Sequence, residues 1–482
     1  MNYAVVVYIL GWVLCIEAAF MIMPFIVSII YSEINSGLPF LWVLAGSLFL
    51  GMLIVRKKPK NMNFYLKEGF VTVALSWIVM SVVGCVPFCL NGDIPDFIDA
   101  LFETISGFTT TGASILSDIE SLSRCGLFWR SFTHWIGGMG VLVFILAIIP
   151  MAGGTHMNLM KAESPGPSVG KLVPKVKYTA MILYGLYILL TVLEVIFLLI
   201  GKMSFYESVL TSMGTAGTGG FGIRNDSLSS ASPYIQWVVT VFMILFGVNF
   251  GFFFLLITGK IKQALKLEEV KAYFAIILVA VIILVIDLRD VITNFADCVR
   301  HVFFQVGSII TTTGFSSIDF DSWPVTSKTI IVILMFIGAC AGSTGGGIKV
   351  SRFIILVKSM FKEIISYLHP RSVKKIKMDG KLVEHETIRS TNVYFITFML
   401  IFVVSTFLIS FNNMDMITNF TAVAATMNNI GPGLELVGPT RNSGQFSDGS
   451  KLVLMFDMLV GRLELFPMLL LLTPSVWRRK KG

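Results

Sequence analysis

The sequence has 482 residues, of which 55% are hydrophobic and only 14% charged, and its formal net charge is +8. Soluble domains carry about 25% charged residues, so this composition excludes an ordinary soluble enzyme and indicates a protein with many membrane-spanning helices. The six cysteines form no CxxC pair and the five histidines are scattered, which gives no metal-ligand spacing and no nucleophile–base pair. We therefore expect neither an enzyme nor an organic cofactor in this chain.

Basic residues cluster in short segments that flank the apolar stretches, at residues 56–60, 161–177, 260–271, 358–389 and 478–481. The segments between these clusters, such as residues 31–40 and 91–96, carry few or acidic charges. By the positive-inside rule, the basic segments and both termini of this multi-pass protein are cytoplasmic. The clusters lack interleaved aromatic residues, which argues against a nucleic-acid partner.

The apolar stretches predict an all-α polytopic membrane protein with an N-terminal helix pair followed by four similar units. The pair is expected at about residues 3–30 and 41–55, within a segment of residues 1–68. Each later unit should contain a spanning helix, a short helix, a glycine-containing loop and a second spanning helix. The third unit should have a broken second helix and a basic cytoplasmic loop. We assign the units to residues 69–174, 175–270, 271–390 and 391–482.

Most of the short segments have too few residues to cross the hydrocarbon core as a helix. They lie at residues 94–108, 204–213, 294–310 and 414–427. Such segments enter the membrane and return, which is tolerated only where the return is buried in protein or lines water. Their C-terminal ends carry negative partial charge, which suits a cation on a shared axis. Ordinary amphipathic surface helices are the alternative, and four segments in register argue against it.

A pattern of small and polar residues around a glycine follows each short segment. Four such loops around one axis can form a ring of backbone carbonyls that replaces the water around a small cation. Glycine suits this role because carbonyls that all face one side need left-handed backbone. The predicted cation ligands are Thr110, Thr111 and Gly112; Thr218, Gly219 and Gly220; Thr312, Thr313 and Gly314; and Asn429, Ile430 and Gly431. The loops thus predict a pseudo-fourfold, channel-like pore.

An acidic residue lies shortly after each loop, namely Asp118, Asp226, Asp319 and Glu435. We expect these four carboxylates to give the outer mouth a negative potential that concentrates cations. The alternative, that they are plain solvated loop residues, stays open at this point.

A run of small residues interrupts the second helix of the third unit, between residues 329–340 and 350–360. Glycine costs a helix about 1 kcal/mol relative to alanine, so the run predicts a flexible plug that swings across the pore. Helix packing through the glycines is the alternative. The run consists of Ala341, Gly342, Ser343, Thr344, Gly345, Gly346 and Gly347.

Arg462 is a second outlier, because it lies within residues 452–472, which we expect to form a mostly apolar helix after the fourth loop. A charge in the middle of the membrane costs on the order of 3 kcal/mol, so this side chain should face water or a partner. We expect it to face the pore and to repel passing cations below the ring. Pairing with Asp457 or Glu464 is the alternative.

With these residues in view, the whole chain resembles the TrkH/KtrB superfamily of K⁺ transporters. The resemblance rests on residues 338–347, 427–433 and 461–464, with a further similar stretch at residues 163–167. It implies K⁺ as the transported ion and a homodimer in which each protomer has its own pore. It also implies a cytoplasmic TrkA-type ring of nucleotide-binding RCK domains and a location in the bacterial cytoplasmic (inner) membrane.

The resemblance also assigns residues by position. It implies that the filter glycines are Gly112, Gly220, Gly314 and Gly431, that the intramembrane gate comprises Ala341 to Lys349, and that the pore arginine is Arg462. In the second loop, Gly219 stands where the first and third loops have threonine, so we expect that loop to coordinate less tightly. Each loop has one central glycine and lacks the TVGYG run, which predicts weaker discrimination of K⁺ from Na⁺.

Two modes of transport fit this scaffold. One is K⁺ uptake through a gated, channel-like pore, and the other is K⁺/H⁺ or K⁺/Na⁺ symport. A potential of 100 mV is worth about 2.3 kcal/mol per charge, so passive entry suffices unless external K⁺ is very low. Coupled transport usually needs an ionisable relay in the membrane. Glu194 is one candidate, although we expect it to face a neighbouring helix.

Overall fold

The computed structural model describes residues 1–60, 65–140, 176–370 and 375–477, which are almost wholly helical. The stretch at residues 163–167, the basic cluster at 478–481, nearly all of the cluster at 161–177 and the end of the first unit lie outside the described residues. Within them, six helices are long and apolar enough to cross a membrane, or seven if one bent pair counts as a span. The protein is therefore an all-α, multi-pass membrane protein.

The helices of the first half begin with one apolar span, Tyr3–Ile30, in which the helix is interrupted at Met21. In chain order, those within the described residues are α1 (Tyr3–Phe20), α2 (Ile22–Ile30), α3 (Ile34–Val55), α4 (Leu66–Asn91), α5 (Phe97–Phe108), α6 (Arg124–Met139), α7 (Val176–Ile200), α8 (Phe205–Ala216), α9 (Pro233–Phe246), α10 (Phe250–Ile257) and α11 (Ile261–Ala264).

The second half repeats the alternation of long and short helices. Its helices are α12 (Glu268–Leu288), α13 (Phe295–Ile310), α14 (Val325–Phe336), α15 (Val350–Leu368), α16 (His385–Ser410), α17 (Met416–Met427), α18 (Asp448–Arg462), α19 (Phe466–Leu471) and α20 (Pro474–Trp477). A small antiparallel hairpin of β1 (Lys377–Met378) and β2 (Lys381–Leu382) precedes α16. Two 3₁₀ turns lie at Phe320–Ser322 and Glu435–Val437.

The N-terminal pair packs closely through small residues. A Cβ placed on Gly51 of α3 would lie 2.8 Å from the carbonyl oxygen of Gly11 in α1, so the two backbones approach as small residues allow in membranes. Helix α3 begins at Ile34, earlier than the expected residue 41. It continues through Pro39, which spanning helices tolerate where their neighbours satisfy the freed backbone groups.

Each of the four short helices starts at a polar residue whose side chain accepts a hydrogen bond from a backbone N–H of the first turn. These cap residues are Asp96 for α5, Ser204 for α8, Asn294 for α13 and Asp415 for α17. Such caps satisfy one of the orphan donors at a helix start and fix where the helix begins. The short helices agree with the predicted segments, except that α8 extends to Ala216 instead of ending at residue 213.

The short helices pack in a cyclic order. Each contacts helices of its own unit and also the second helix of the preceding unit: α8 packs on α6, α13 on α9, α17 on α14, and α5 on α18. The last of these contacts joins the first unit to the fourth. The C-terminal ends of the short helices, and the loops that follow them, are therefore gathered around one axis.

Two of the second helices are broken where the sequence predicts continuous spans. Between α9 and α10 the chain bends by 92°, and Asn249 caps the new helix by accepting a hydrogen bond from Gly251 N–H. The expectation that Arg462 lies within a helix over residues 452–472 is also wrong. Helix α18 ends at Arg462, because Glu464 and Leu465 adopt left-handed backbone with φ of 55° and 71°. The predicted break before Val350 is present, and it extends from Ile337 to Lys349.

Candidate functional site

The four glycine-containing loops share one backbone conformation. In each, a residue with φ between 52° and 58° is followed by a residue of ordinary negative φ and then by a glycine with φ between 75° and 99°. Alternation of this kind turns successive carbonyls toward one side of the chain. The left-handed pairs are Thr110 with Gly112, Thr218 with Gly220, Thr312 with Gly314, and Asn429 with Gly431.

The loops touch each other in a closed cycle. A Cβ on Gly112 would overlap the carbonyl oxygen of Gly219, one on Gly220 that of Thr313, and one on Gly314 that of Ile430. The cycle closes because a Cβ on Gly431 would lie 2.9 Å from the carbonyl oxygen of Thr111. Each glycine thus abuts the carbonyl that precedes the next glycine. Four equivalent carbonyls, from Thr111, Gly219, Thr313 and Ile430, lie around one axis.

A buried ion pair bonds the residues that follow the first two loops. Glu103 of α5 lies 2.5 Å from Arg130 of α6 and accepts hydrogen bonds from Ser114 Oγ (3.0 Å) and Ile115 N–H (3.1 Å). Arg130 also donates to the carbonyl of Gly222 at 2.8 Å. The pair therefore ties the exit of the first loop to that of the second. Neither residue was predicted as a site residue from the sequence, although a charged residue in an apolar helix is itself a signal of a functional site.

Uncharged groups support the other loops in the same way. Gln305 of α13 donates to the carbonyl of Ile318 at 3.1 Å, and Ser308 donates to that of Phe315 at 2.6 Å. In the fourth unit, Thr421 Oγ1 accepts from Leu434 N–H at 3.0 Å. The first, third and fourth loops are thus bonded by side chains to their own short helices, and the second loop is bonded to Arg130 of α6, which restricts the freedom of the carbonyls to shift.

The interrupting run of small residues lies against the ring, on the side where the short helices end. Gly346 N–H donates to Thr312 Oγ1 at 2.6 Å. A Cβ on Gly346 would lie 2.7 Å from the carbonyl oxygen of Asn428, and one on Gly345 would lie 2.9 Å from that of Thr311. Glycines are needed at this place because the run and the loops meet backbone to backbone. We call residues 341–349 the intramembrane loop.

Charged side chains hold the intramembrane loop. Lys349 donates to the carbonyls of Gly345 and Gly346. Arg462 donates to the carbonyl of Thr344 at 2.8 Å and, with its other terminal nitrogen, to the carbonyls of Gly137 at 2.6 Å and Gly138 at 3.0 Å. These two cations therefore contact loop carbonyls, and Arg462 links the loop to the end of α6.

The carboxylates considered as partners of Arg462 are engaged elsewhere. Asp457 accepts from Ser405 Oγ at 2.7 Å, and Glu464 pairs with Arg352 of α15. The hydrogen bonds described for Arg462 go to carbonyls of α6 and of the intramembrane loop, and its orientation toward the pore stays a prediction.

Glu269 bonds the chain at both sides of the intramembrane loop, an arrangement that we call the Glu269 clasp. This residue was not predicted from the sequence. One oxygen of this buried carboxylate accepts from the N–H of Ala341, at the start of the loop, at 2.7 Å and from the N–H of Ser351, in the first turn of α15 just after the loop, at 3.0 Å. The neighbouring residue Glu268 pairs with Lys358, and its N–H donates to Asp379 in the β-hairpin at 2.7 Å. The hairpin and the loop thus join the start of α12 at adjacent residues.

The cleft that adjoins the ring has basic side chains in its lining. Its volume is about 110 Å³, and it is lined by the four loop glycines and by three arginines, Arg130, Arg224 and Arg441. The acids expected there make local hydrogen bonds: Asp118 accepts from Asn225, Asp226 from Ser230 N–H, and Asp319 from Asp321 N–H. An acidic potential at the mouth therefore stays a prediction.

Glu194 of α7 is fully buried beside Thr215 of the second short helix. It faces a neighbouring helix, as expected from the sequence. No group of three or more His, Cys, Asp or Glu side chains that could hold a metal ion occurs in the part of the chain that the structure describes.

The Glu103–Arg130 pair gives a prediction about stability. We expect Glu103→Gln to lower the free energy of unfolding by about 3 kcal/mol, because it leaves the Arg130 guanidinium buried without its counter-ion. Denaturant unfolding in detergent would measure this change.

The matched control is the exposed pair of Glu207 and Arg224, whose nitrogen and oxygen lie 2.9 Å apart. We expect Glu207→Gln to cost no more than about 1 kcal/mol, since exposed pairs contribute little. Partial burial raises the pKa of Glu207, but hydrogen bonds from Arg224 and Ser204 outweigh it and hold that pKa below its usual value. The contribution of this pair is therefore present above the ordinary carboxyl pKa and is lost as the pH falls through the lowered one. Equal losses for the two substitutions would contradict a supporting role for Glu103.

Comparison with known proteins places this architecture in a family. The family model TrkH, described as a cation transport protein, matches residues 41–479. The chain is 34% identical to the Trk system potassium uptake protein TrkH of Escherichia coli (strain K12), over 99% of this chain and 100% of that protein. It is 30% identical to the Trk system potassium uptake protein TrkG of the same organism, over 98% of each chain.

A solved structure gives the same result. The crystal structure of the potassium transporter TrkH from Vibrio parahaemolyticus superposes with a TM-score of 0.89 at 31% sequence identity, covering 99% of this chain and 100% of that one. The family consists of transporters and not of enzymes. The chain therefore belongs to the TrkH family of cation transport proteins.

Proposed function

We propose that this protein takes up K⁺ through a gated, channel-like pore, as the ion-translocating subunit of a Trk-type system. Relatives that match over their full length are named potassium uptake proteins. The observation that carries the proposal is the closed cycle in which each loop glycine abuts the carbonyl before the next. A desolvated K⁺ on this axis would exchange its water shell for main-chain oxygens.

The proposed filter consists of three residues from each loop. They are the twelve predicted from the sequence: Thr110, Thr111 and Gly112; Thr218, Gly219 and Gly220; Thr312, Thr313 and Gly314; and Asn429, Ile430 and Gly431. The shared backbone conformation and the cyclic packing of the short helices support this set. They also support the division into an N-terminal segment of residues 1–68 and pore units at 69–174, 175–270, 271–390 and 391–482.

The proposed gate is the intramembrane loop, from Ala341 through Gly342, Ser343, Thr344, Gly345, Gly346 and Gly347 to Lys349, together with Arg462. In the conformation described, Gly346 N–H donates a hydrogen bond to Thr312 Oγ1. This oxygen would otherwise face an ion that enters the filter. Lys349 and Arg462 hold the loop there and place positive charge beside the ion path. Opening requires the loop to leave these carbonyls, and the Glu269 clasp limits how far its ends can move.

The name of the relatives' system indicates partner subunits. We propose a homodimer with one pore in each protomer and a cytoplasmic TrkA-type ring with nucleotide-binding RCK domains that moves the gate. We further propose a location in the bacterial cytoplasmic (inner) membrane, with both termini inside. The distribution of basic segments supports this orientation.

Reversal potentials of the purified chain in liposomes test the proposed mode of transport. For a passive pore, the reversal potential should follow the K⁺ gradient and should not change when a gradient of one pH unit is imposed. A shift toward the proton equilibrium potential would contradict a passive pore and would indicate K⁺/H⁺ symport. A matching dependence on the Na⁺ gradient, with K⁺ held equal, would indicate K⁺/Na⁺ symport.

Competition between ions tests the filter itself. Because each loop has one central glycine, we expect Na⁺ to compete with bound Rb⁺ within about tenfold of K⁺. Equilibrium binding of Rb⁺ to the purified chain, with Na⁺ or K⁺ added, measures the ratio. Complete exclusion of Na⁺ would contradict the expectation of weak discrimination.

A further inference from the structure

The second loop differs from the first and third loops in the side chains that lie beside its backbone. In the first loop the hydroxyls of Thr111 and Thr109 are bonded to each other at 2.8 Å, and in the third loop those of Thr313 and Thr311 are bonded at 2.7 Å. The residues at these positions of the second loop are Gly217 and Gly219. The second loop thus lacks a hydroxyl pair that the first and third loops have.

The side chain of His134 fills the space that this pair would occupy. A Cβ on Gly219 would meet three imidazole atoms first, Nδ1, Cγ and Cε1, the last at 2.5 Å. A Cβ on Gly217 would overlap the carbonyl oxygen of His134 and lie 3.2 Å from its Cβ. His134 has no exposed surface. Both glycines of the second loop are therefore matched to this one histidine.

Other contacts hold the imidazole in this place. It stacks on the ring of Phe221, with centroids 4.1 Å apart and planes inclined by 20°. The guanidinium carbon of Arg130, one turn earlier on α6, lies 3.7 Å from the centroid of the same ring. Arg130 also bonds the carbonyl of Gly222. The residues that follow Gly219 are thus fixed to the helix that carries His134.

We propose that His134 is a positioning residue that determines ion specificity in the second loop. Its imidazole replaces the threonine pair and sets the place of the Gly219 carbonyl, one of the four oxygens of the ring. A neighbouring helix thus supplies the volume that the second loop lacks, and the expectation that this loop coordinates less tightly stays a prediction. The inference deepens the proposed function and rests on the ring being the filter.

A double-mutant cycle between His134 and Gly219 tests this inference. Rb⁺ uptake into liposomes would be measured with competing Na⁺, which gives both the rate and the K⁺-over-Na⁺ preference. We expect His134→Ala to lower that preference about tenfold, because a cavity behind the loop lets its carbonyl shift. Gly219→Ala alone should lower the uptake rate about tenfold or more, because its Cβ has no room beside the imidazole.

The double variant gives the decisive measurement of the cycle. Removal of the imidazole makes room for the new methyl group, so Gly219→Ala should lower the uptake rate at least about fivefold less in the His134→Ala background than in the native one. Equal losses in both backgrounds, or an unchanged ion preference in His134→Ala, would overturn the inference. Should His134→Ala fail to fold, His134→Asn has a shorter side chain and serves as the background with the same criterion.

Two controls separate this inference from the proposed function. A Cβ on Gly220 overlaps the carbonyl oxygen of Thr313, a backbone atom, so Gly220→Ala should abolish uptake in both backgrounds. Normal uptake by Gly220→Ala would contradict the proposed filter itself. If Gly220→Ala abolishes uptake but His134 and Gly219 show no coupling, only the proposed role of His134 is contradicted. His301→Ala removes a half-buried histidine that bonds Ser317, and it should leave the ion preference unchanged.

Discussion

Replacing Gly314 by alanine is expected to abolish K⁺ uptake. The glycine has φ of +84°, which costs an L-residue about 1–2 kcal/mol, and the new Cβ would overlap the carbonyl oxygen of Ile430. Neither effect is relieved by rotating a side chain, so the ring must distort. We expect Rb⁺ uptake by the purified chain in liposomes to fall at least about tenfold.

Gly307→Ala is the matched control in the same unit. Gly307 lies within α13, and the nearest atom to its added Cβ is Ile244 Cγ1 at 3.4 Å, an ordinary contact. Alanine also favours helix relative to glycine, so this variant should fold and transport normally. Normal uptake by Gly314→Ala at an equal amount of reconstituted protein would contradict the proposed filter.

Replacing Arg462 by alanine is expected to increase ion flux. The guanidinium bonds the carbonyl of Thr344 in the intramembrane loop and those of Gly137 and Gly138 in α6. Hydrogen bonds to a charged group contribute about 1.5–3 kcal/mol, so their loss should favour the open loop about tenfold or more. Removal of the charge also lowers the barrier to a passing cation. Rb⁺ uptake without a cytoplasmic partner measures the effect.

Other variants separate loop anchoring from a general loss of charge. Lys349→Ala removes the second cation that holds the loop and should act in the same direction. Arg462→Lys keeps the charge but lacks the planar fork that reaches both α6 and the loop, so it should give intermediate flux. Arg289→Ala removes an exposed arginine and should have no effect. Unchanged or lower flux in Arg462→Ala would contradict the proposed gate.

Much of this fold was predictable because its signals are local. The lengths of the apolar stretches indicated the long helices, and the short segments before each glycine pattern indicated α5, α8, α13 and α17. The run of small residues at 341–347 marked the break between α14 and α15, since glycines in succession destabilise a helix wherever they occur. Local composition was sufficient in each of these cases.

The features that the sequence did not reveal depend on contacts between distant residues. Thr110, Thr218 and Thr312 adopt left-handed backbone that β-branched residues disfavour, and the packing of the loops imposes it. The bend after Phe246 is stabilised by the intramembrane loop and by the residue before it. Cys340 N–H donates to the carbonyl of Gly247, and Phe250 N–H donates to the carbonyl of Gly342. The match between His134 and Gly219 joins residues 85 positions apart (219 − 134), and no local pattern encodes it.

The location of bound ions tests the central claim most directly. A crystal structure of the protein in Rb⁺ or Tl⁺, with anomalous scattering used to locate the ion, should show a peak on the axis among the carbonyls of Thr111, Gly219, Thr313 and Ile430. Ions bound elsewhere in the protein, with none among these four carbonyls, would contradict the account.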